Sequence, residues 1–324
     1  MSEPDLTGAL DAVEQFLLGA APTLTRVEVS ARAGVPVEVA EELWRLLGFP
    51  RAADDDPAFT PADVEALRLA HDLMALGILD DESTAALVRT WGRSFARLAE
   101  WQTTLLARVA SRSPGTDPAE QLTVLAGEVL PRVDRLQSYV WRRHLSSAAN
   151  RLLTVGSTDA VEQAVCFCDI VGFTSRSKEL EDDELVDWIE TFEARSAEIV
   201  VDLGGRVIKN IGDEVLLVAD DPAAGARIAL ALVERGADEN DPFPAVRAGV
   251  AYGDVVTRLG DVFGPTVNIA ARLTSLARPG TVLVDDGMRE RLGEDPTYSW
   301  RRLQRASVKG YSRLRPWVLR DRAD

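Results

Sequence analysis

Cysteine and histidine are scarce in this sequence, with two of each among its 324 residues. So few thiols exclude the disulfide framework that stabilises many small secreted domains. We expect Cys166 and Cys168 to be buried, reduced side chains that behave as small apolar residues, with no metal or redox role. This usage is typical of a cytoplasmic protein.

Long apolar runs are also missing, and no stretch approaches the length that spans a bilayer. The first ten residues, MSEPDLTGAL, lack the basic start and apolar core of a secretory signal. Basic residues number 36 against 52 acidic ones, which gives a net charge of -16. We therefore expect neither nucleic acid nor a membrane as partner. An acidic field of this kind also repels anionic ligands, so a site for one needs local positive charge or metal ions.

The first half of the chain has the periodicity of helices. Apolar residues recur at helical spacing through residues 1–118, which we expect to form an all-helical domain. A long helix is predicted from Ala119 to Leu153, with Pro131 inside it. This helix would form most of a linker over residues 119–158.

The second half alternates between strand and helix patterns, and we expect residues 159–324 to form one α+β domain. Strands that alternate with helices, together with one hairpin, indicate a ferredoxin-like βαββαβ fold. The predicted strands are Ala164–Cys168, Arg206–Ile211, Glu214–Ala219, Val246–Val256 and Thr281–Val284, and the predicted helices are Asp182–Leu203, Pro222–Arg235 and Val267–Leu276.

Two aspartates at strand ends are the first candidates for chemistry. Asp169 follows an apolar run and precedes the segment from Gly172 to Thr174, where backbone N–H groups at a helix start could hold phosphate. Asp213 lies at the tip of the predicted hairpin. Two such carboxylates on adjacent strands can share a pair of divalent ions for displacement at phosphorus. Taken singly, Asp169 fits a helix cap better than a metal ligand, and Asp213 fits an ordinary turn residue better.

A third candidate group lies on a predicted helix near residue 270. Asn268 and Arg272 are four positions apart, so their side chains share one helix face. An amide and a guanidinium on one face suit contacts with ribose and phosphoryl oxygens. The alternative is a solvated polar stripe, although Gly264 and Pro265 before the helix indicate a built loop.

Together these segments resemble the catalytic domain of class III adenylate and guanylate cyclases. The resemblance covers about residues 162–320 and depends on three motifs, FCDIVGFT, KNIGD and DVFGPTVNIAAR, in the family's order and at its spacing. It implies that the protein converts ATP to cyclic AMP and pyrophosphate. It also implies two divalent metal ions, Mg or Mn.

The resemblance assigns a role to each candidate residue. Asp169 and Asp213, with the carbonyl of Ile170, would bind the metal ions. Lys209 and Asp261 would recognise adenine, since an ammonium donates to a ring nitrogen and a carboxylate accepts from the exocyclic amine.

Sugar and phosphate contacts are implied in the same way. Asn268 would orient the ribose, and Arg272 would stabilise charge on the α-phosphate in the transition state. Lys309 would contact phosphate, or it is an ordinary surface lysine. Backbone amides would hold the phosphates at three consecutive residues, Gly172, Phe173 and Thr174.

In this family the site lies between two catalytic domains, one with the metal aspartates and the other with the remaining residues. This chain carries both sets, so the resemblance implies a head-to-tail homodimer with two equivalent sites. The alternative is a catalytically silent, nucleotide-binding sensor. Loss of a metal aspartate or of the arginine would favour that alternative, and neither is lost.

The N-terminal half is similar to the helical regulatory domain of actinobacterial class III cyclases, some of which respond to pH. This similarity implies a small-molecule, lipid or proton signal. His71 and His144 are the two histidines, the side chains that ordinarily titrate near neutrality. Residues 25–48 also resemble a helix-turn-helix, which makes a DNA-binding regulator a third, weaker interpretation. The second helix carries three glutamates and one arginine, which disfavours contact with phosphates.

Overall fold

The computed structural model describes residues 14–111, 118–155, 160–303, 306–308 and 311–322. The chain divides into two compact units, Met1–Arg151 and Leu152–Asp324. Each unit is described by itself below. The boundaries predicted at residues 118 and 158 stay predictions.

Helices make up most of the described part of the first unit, and loops and one isolated β-bridge, between Leu24 and Phe59, lie between them. Its helices are α1 (Arg26–Ala33), α2 (Val37–Leu47), α3 (Pro61–Ala75), α4 (Asp81–Ser111) and α5 (Pro118–Val155). Helix α3 begins as its sequence requires, because Thr60 and Asp63 form a capping box around Pro61. Helix α5 continues through Pro131.

Helices α1 and α2 form the predicted helix-turn-helix. Gly34, with a φ of 75°, ends α1 in the left-handed conformation, and Val37 begins α2. The small core beneath them includes Trp44, whose ring stacks on that of Phe59 at a centroid distance of 4.6 Å. Aromatic stacking of this kind adds to the stability gained from burial.

The second unit is built on an eight-stranded sheet. Its strands are β1 (Ala160–Ile170), β2 (Arg206–Ile211), β3 (Glu214–Ala219), β4 (Val246–Arg258), β5 (Asp261–Phe263), β6 (Val282–Val284), β7 (Tyr298–Arg302) and β10 (Trp317–Asp321), and a separate hairpin joins β8 (Ala306–Val308) to β9 (Tyr311–Leu314). Its helices are α6 (Phe173–Arg176), α7 (Asp182–Asp202), α8 (Pro222–Arg235), α9 (Pro265–Leu276) and α10 (Asp286–Leu292).

The order of strands confirms the predicted ferredoxin-like core. It runs β2-β3-β1-β4-β6-β10-β7, with β5 paired to β4. Strand β1 is antiparallel to both β3 and β4, and β2 is antiparallel to β3. Strands β1 to β4, with α7 and α8 between them, are therefore the βαββαβ unit. Strand β6 extends the sheet by pairing in parallel with β4.

Two hydrophobic clusters cover the two faces of the sheet. The α8 face carries buried residues such as Cys166, Cys168 and Leu217, and both cysteines are free. The α9 face carries residues such as Phe167 and Leu216. Since side chains alternate along a strand, β1, β3, β4, β6 and β10 each contribute to both clusters.

Helix α9 lies very close to strand β4 because a glycine stands between them. A Cβ built on Gly249 would lie 2.3 Å from the backbone nitrogen of Thr274 and 2.6 Å from the carbonyl oxygen of Ala270. No side chain fits such a gap, so glycine is required for this packing. The hydroxyl of Thr274 also donates to the carbonyl oxygen of Phe167 at 3.2 Å, which ties α9 to β1.

Several boundaries differ from the prediction. Strand β4 continues to Arg258 because β5 returns and pairs with it, and α9 begins at Pro265, two residues earlier than expected. Helix α10 and strands β7 to β10 were not predicted. The segment SRSPGTDP over residues 111–118, whose composition predicts a loop, lies almost wholly outside the described residues.

Candidate functional site

A row of three charged residues crosses the centre of the sheet. Asp169 on β1 is in register with Glu214 on β3 and with Arg247 on β4. Residues directly opposite one another on antiparallel strands point to the same face. The row therefore lies on the α9 face, at the end of β1 where the chain turns into α6.

Asp213 joins this row from the hairpin between β2 and β3. Its carbonyl oxygen accepts a hydrogen bond from the N–H of Ile170 at 3.0 Å, which fixes the hairpin tip against the end of β1. Burial raises the pKa of Asp169, its bond with Arg247 opposes that shift, and the nearby Asp213 carboxylate adds to it. The two predicted metal aspartates are thus brought together, with Ile170 between them.

Arg247 was not singled out from the sequence. Its Nε and Nη2 atoms both donate to Oδ2 of Asp169, at 2.7 and 2.5 Å. It places a cation beside the paired aspartates of a strongly acidic chain. The sequence does contain one indication of its role. The arginine lies inside the apolar strand pattern VRAGVA, where a buried charge without a partner destabilises the fold.

Glu214 adds a third carboxylate to the same face. Its side chain is half-buried, and burial, followed by the charges of Asp169 and Asp213, raises its pKa from 4.5 to about 7. Such crowding of like charges is costly unless a cation compensates it.

Replacing Glu214 with glutamine should change how stability depends on pH. Because the pKa of Glu214 is about 7 when folded and near 4.5 when unfolded, the folded state binds the proton more tightly. The resulting stability is complete below the unfolded pKa and is lost as pH rises through the folded pKa. Glutamine cannot lose a proton. The free energy of unfolding of the variant, relative to that of wild type, should therefore increase between about pH 5 and about pH 8. Urea unfolding in EDTA measures this difference, and an equal difference at both pH values would contradict it.

The predicted phosphate segment forms a tight turn into a short helix. Gly172 has a φ of 73°, a left-handed conformation that suits glycine, and α6 begins at the next residue. The N–H groups of Phe173 and Thr174 lie in its first turn, where they have no acceptor within the helix. Thr174 is exposed. This segment can therefore offer backbone donors to an anion.

Trp188 on α7 supports this turn and was not noticed in the sequence. Its ring stacks on Phe173 with a centroid distance of 5.6 Å and an interplanar angle of 10°. The guanidinium of Arg176 lies 5.6 Å from the centre of the Trp188 ring. These contacts hold the turn against α7 and restrict its movement.

Lys209 and Asp261, the pair predicted to recognise adenine, are in direct contact. Lys209 Nζ lies 2.5 Å from Oδ2 of Asp261, so β2 and β5 are linked at the edge of the sheet. Oδ1 of Asp261 accepts a hydrogen bond from the N–H of Val262 at 2.9 Å. The pair presents one donor group and one acceptor group side by side.

Asn268 and Arg272 lie on the exposed side of α9, with Ala270 and Leu273 buried beneath them. The start of α9 is fixed by Thr266, whose hydroxyl donates to the carbonyl oxygen of Asp254 at 2.7 Å. Both predicted side chains are therefore free to face solvent or another molecule. Lys309, the remaining predicted site residue, lies outside the described residues.

The paired aspartates suit hard divalent cations. Carboxylate and carbonyl oxygens are the ligands that Mg²⁺ and Mn²⁺ prefer. Across the described part of the chain, no group of three or more acidic, histidine or cysteine side chains is arranged to hold a metal. Two carboxylates and the Ile170 carbonyl would fill only part of the coordination shell of such an ion, so substrate oxygens would be needed to complete it.

Residues 155–321 match the model of the adenylate and guanylate cyclase catalytic domain. That match covers just over half of the chain and includes every charged residue of the candidate site. The chain belongs to this family. Within this cyclase domain, the fold brings together Asp169 with Asp213 and Lys209 with Asp261, as two pairs of residues that the sequence motifs identified.

Curated relatives are similar to this chain well beyond its catalytic domain. An adenylate cyclase of Glutamicibacter nicotianae is 38% identical over 95% of this chain and 81% of its own length. An adenylate cyclase of Streptomyces coelicolor is 36% identical over 95% of this chain and 88% of its own length. The pH-sensitive adenylate cyclase MT1302 of Mycobacterium tuberculosis is 34% identical over 83% of this chain and 70% of its own length. The similarity thus includes the helical unit.

Among the described residues, no helix combines the length and the apolar character needed to cross a membrane.

Proposed function

We propose that this cyclase converts ATP to 3',5'-cyclic AMP and pyrophosphate at a site shared by two copies of the chain. The observation that carries the proposal is the contact between Lys209 and Asp261. It places a donor beside an acceptor in the polarity that adenine requires, in a domain whose relatives are named adenylate cyclases. Guanine would need the opposite polarity at the position of Lys209.

The reaction joins the ribose 3'-oxygen to the α-phosphorus and breaks the bond between that phosphorus and the pyrophosphate oxygen. Bound by Asp169, Asp213 and the Ile170 carbonyl, two divalent ions would lower the pKa of the attacking hydroxyl and neutralise the leaving phosphates. The 3'-hydroxyl loses its proton, and pyrophosphate leaves with the electron pair of the broken bond.

Protein groups surround this centre with further positive charge and fixed donors. The N–H groups of Phe173 and Thr174 hold phosphate oxygens at the start of α6. Arg247, held beside Asp169, offsets the acidity that would otherwise repel a triphosphate. From the second copy, Asn268 orients the ribose, and Arg272 stabilises the charge that develops on the α-phosphate.

Exposed apolar side chains beside Lys209 and Asp261 support assembly of two copies. Four of them lie on the β2–β3 hairpin and on the β4–β5 pair that carries Asp261, where water would otherwise contact them. Their exposed fractions are 45% for Ile211, 45% for Val256, 56% for Leu259 and 49% for Phe263. A second catalytic unit docked here would cover this surface and bring Asn268 and Arg272 to the partner's metal aspartates.

The helical unit contains a candidate site for regulation. A cavity of about 500 Å³ opens between α2, α3 and the start of α4, with an almost wholly apolar lining that includes Leu43, Leu73, Ile78 and Trp91. A space of this size and character suits a small apolar molecule or a lipid chain. Both histidines, His71 and His144, are exposed in this unit and are candidates for a proton signal.

Incubation of the purified protein with ATP and Mn²⁺ should yield cyclic AMP and pyrophosphate in equal amounts. The assay is run from about pH 5.5 to about pH 8, on the full chain and on residues 152–324. We expect the shortened chain to be more active or to respond differently to pH, because the helical unit is proposed to regulate. Nucleotide binding without any product would favour the silent sensor instead. Identical kinetics and pH profiles in both chains would contradict regulation by the helical unit.

A further inference from the structure

Strand β2 contains a β-bulge immediately before Lys209. Val207 pairs with Leu217 of β3, yet the next pair along the ladder joins Lys209 to Leu216. Two residues of β2, Ile208 and Lys209, therefore oppose a single residue of β3. A bulge of this kind inserts one extra residue and redirects the side chains that follow.

The bulge changes the face to which Lys209 belongs. In a regular strand successive side chains alternate, so Ile208 and Lys209 would point to opposite faces. Here Ile208 packs with the cluster on the α9 face, and Lys209 is paired with Leu216 of that same cluster. Val207, in contrast, packs on the α8 face. The two residues of the bulge thus share one face.

Without the extra residue in the ladder, Lys209 would be opposite Val215. Val215 belongs to the α8 face, where α7 and α8 cover the sheet. A lysine directed there would enter an apolar layer and would be separated from Asp261 by the sheet. The contact of 2.5 Å between Lys209 and Asp261 depends on the shifted register.

Ile208 is the residue that can hold this shift in place. It is half-buried against the α9-face cluster, whereas the side chain of Lys209 is 42% exposed and has little packing of its own. Because Ile208 is the residue of the bulge without a partner of its own in the ladder, the packing of its side chain can fix the conformation of the bulge. We propose that Ile208 is a positioning residue which, through the bulge, directs Lys209 toward Asp261 and thereby sets the choice between purines. The inference depends on the proposed recognition of adenine by Lys209 and Asp261.

The test compares two neighbouring truncations that remove apolar contacts from opposite faces of one strand. Ile208→Ala removes the anchor of the bulge, and Val207→Ala removes a half-buried side chain on the α8 face. Both variants lose stability in thermal unfolding. We expect the ratio of kcat/KM for ATP to that for GTP to fall about tenfold in Ile208→Ala only, mainly through a higher KM for ATP. Ile208→Leu, which nearly conserves volume, should restore the ratio.

If the ratio of kcat/KM for ATP to that for GTP is the same in Ile208→Ala and Val207→Ala, the positioning role is overturned. A residue that only stabilises the strand would not lower this ratio more than its neighbour does. Lys209→Met, measured beside them, separates this inference from the proposed function. If Lys209→Met lowers the ratio and Ile208→Ala does not, the role of the bulge is wrong and adenine recognition stands. If Lys209→Met leaves the ratio unchanged, recognition of adenine by Lys209 is wrong, and the inference that depends on it fails as well.

Discussion

Replacing Asp169 with alanine should lower the formation of cyclic AMP by at least about a thousandfold. Asp169 is the residue at which three features meet, since it lies beside Asp213, opposite Glu214 and in contact with Arg247. Without its carboxylate the proposed metal ions would lose a ligand, and Arg247 loses its anionic partner. Replacing Asp213 should have a similar effect on turnover. Initial rates at saturating ATP and Mn²⁺ measure both losses.

The controls separate chemistry from folding. Asp169→Asn keeps the shape of the side chain and a hydrogen-bond acceptor for Arg247, so it should preserve the fold better than alanine while remaining inactive. Asp202→Ala removes an exposed aspartate from the end of α7 and should leave the rate unchanged. Circular dichroism and thermal unfolding establish that each variant is folded. A folded Asp169→Asn protein with substantial activity would contradict the metal role.

Mixing two inactive variants should restore activity if each site is shared between two copies. Asp169→Ala damages the metal half of a site, and Arg272→Ala damages the transition-state half. In a mixed dimer one site receives both defects and the other receives none. If subunits exchange at random, half of the dimers are mixed and half of their sites are intact, so the mixture should recover about a quarter of wild-type activity.

The matched control mixes Asp169→Ala with Asp213→Ala. Both changes affect the metal half, so every site in a mixed dimer remains defective and no activity should return. Differently tagged chains, purified through both tags in sequence, verify that mixed dimers are present. Mixed dimers of Asp169→Ala and Arg272→Ala without any activity would contradict the shared site.

Local patterns predicted the central part of the catalytic fold well. The bounds of β2, β3 and α8 agree with the prediction because Gly212 and Asp213 mark the hairpin and Pro222 marks the helix start. The end of β4 was predicted two residues too early, because its extension depends on pairing with β5. Strands β7 and β10 pair with one another across more than ten residues of sequence, and no local pattern records such pairing.

The candidate site was predicted in part for the same reason. The motifs identified Asp169, Asp213, Lys209 and Asp261, but their contacts arise from strands that are distant in sequence. Arg247 was missed because its partner is visible only once β1 and β4 are in register. The bulge at Ile208 was missed because the residues RVIKNI carry an ordinary strand pattern, and an irregular ladder is a property of two strands together.

The absence of a side chain at Gly249 has a mechanical consequence. Because no side chain separates them at Gly249, the backbones of α9 and β4 are in direct contact. The helix that bears Asn268 and Arg272 therefore cannot slide over the strand that bears Arg247. In the proposed dimer, the residues that one protomer contributes to its partner's site and those that it contributes to its own would then move as one rigid piece. A signal that tilts one protomer against the other would therefore change both reaction centres together.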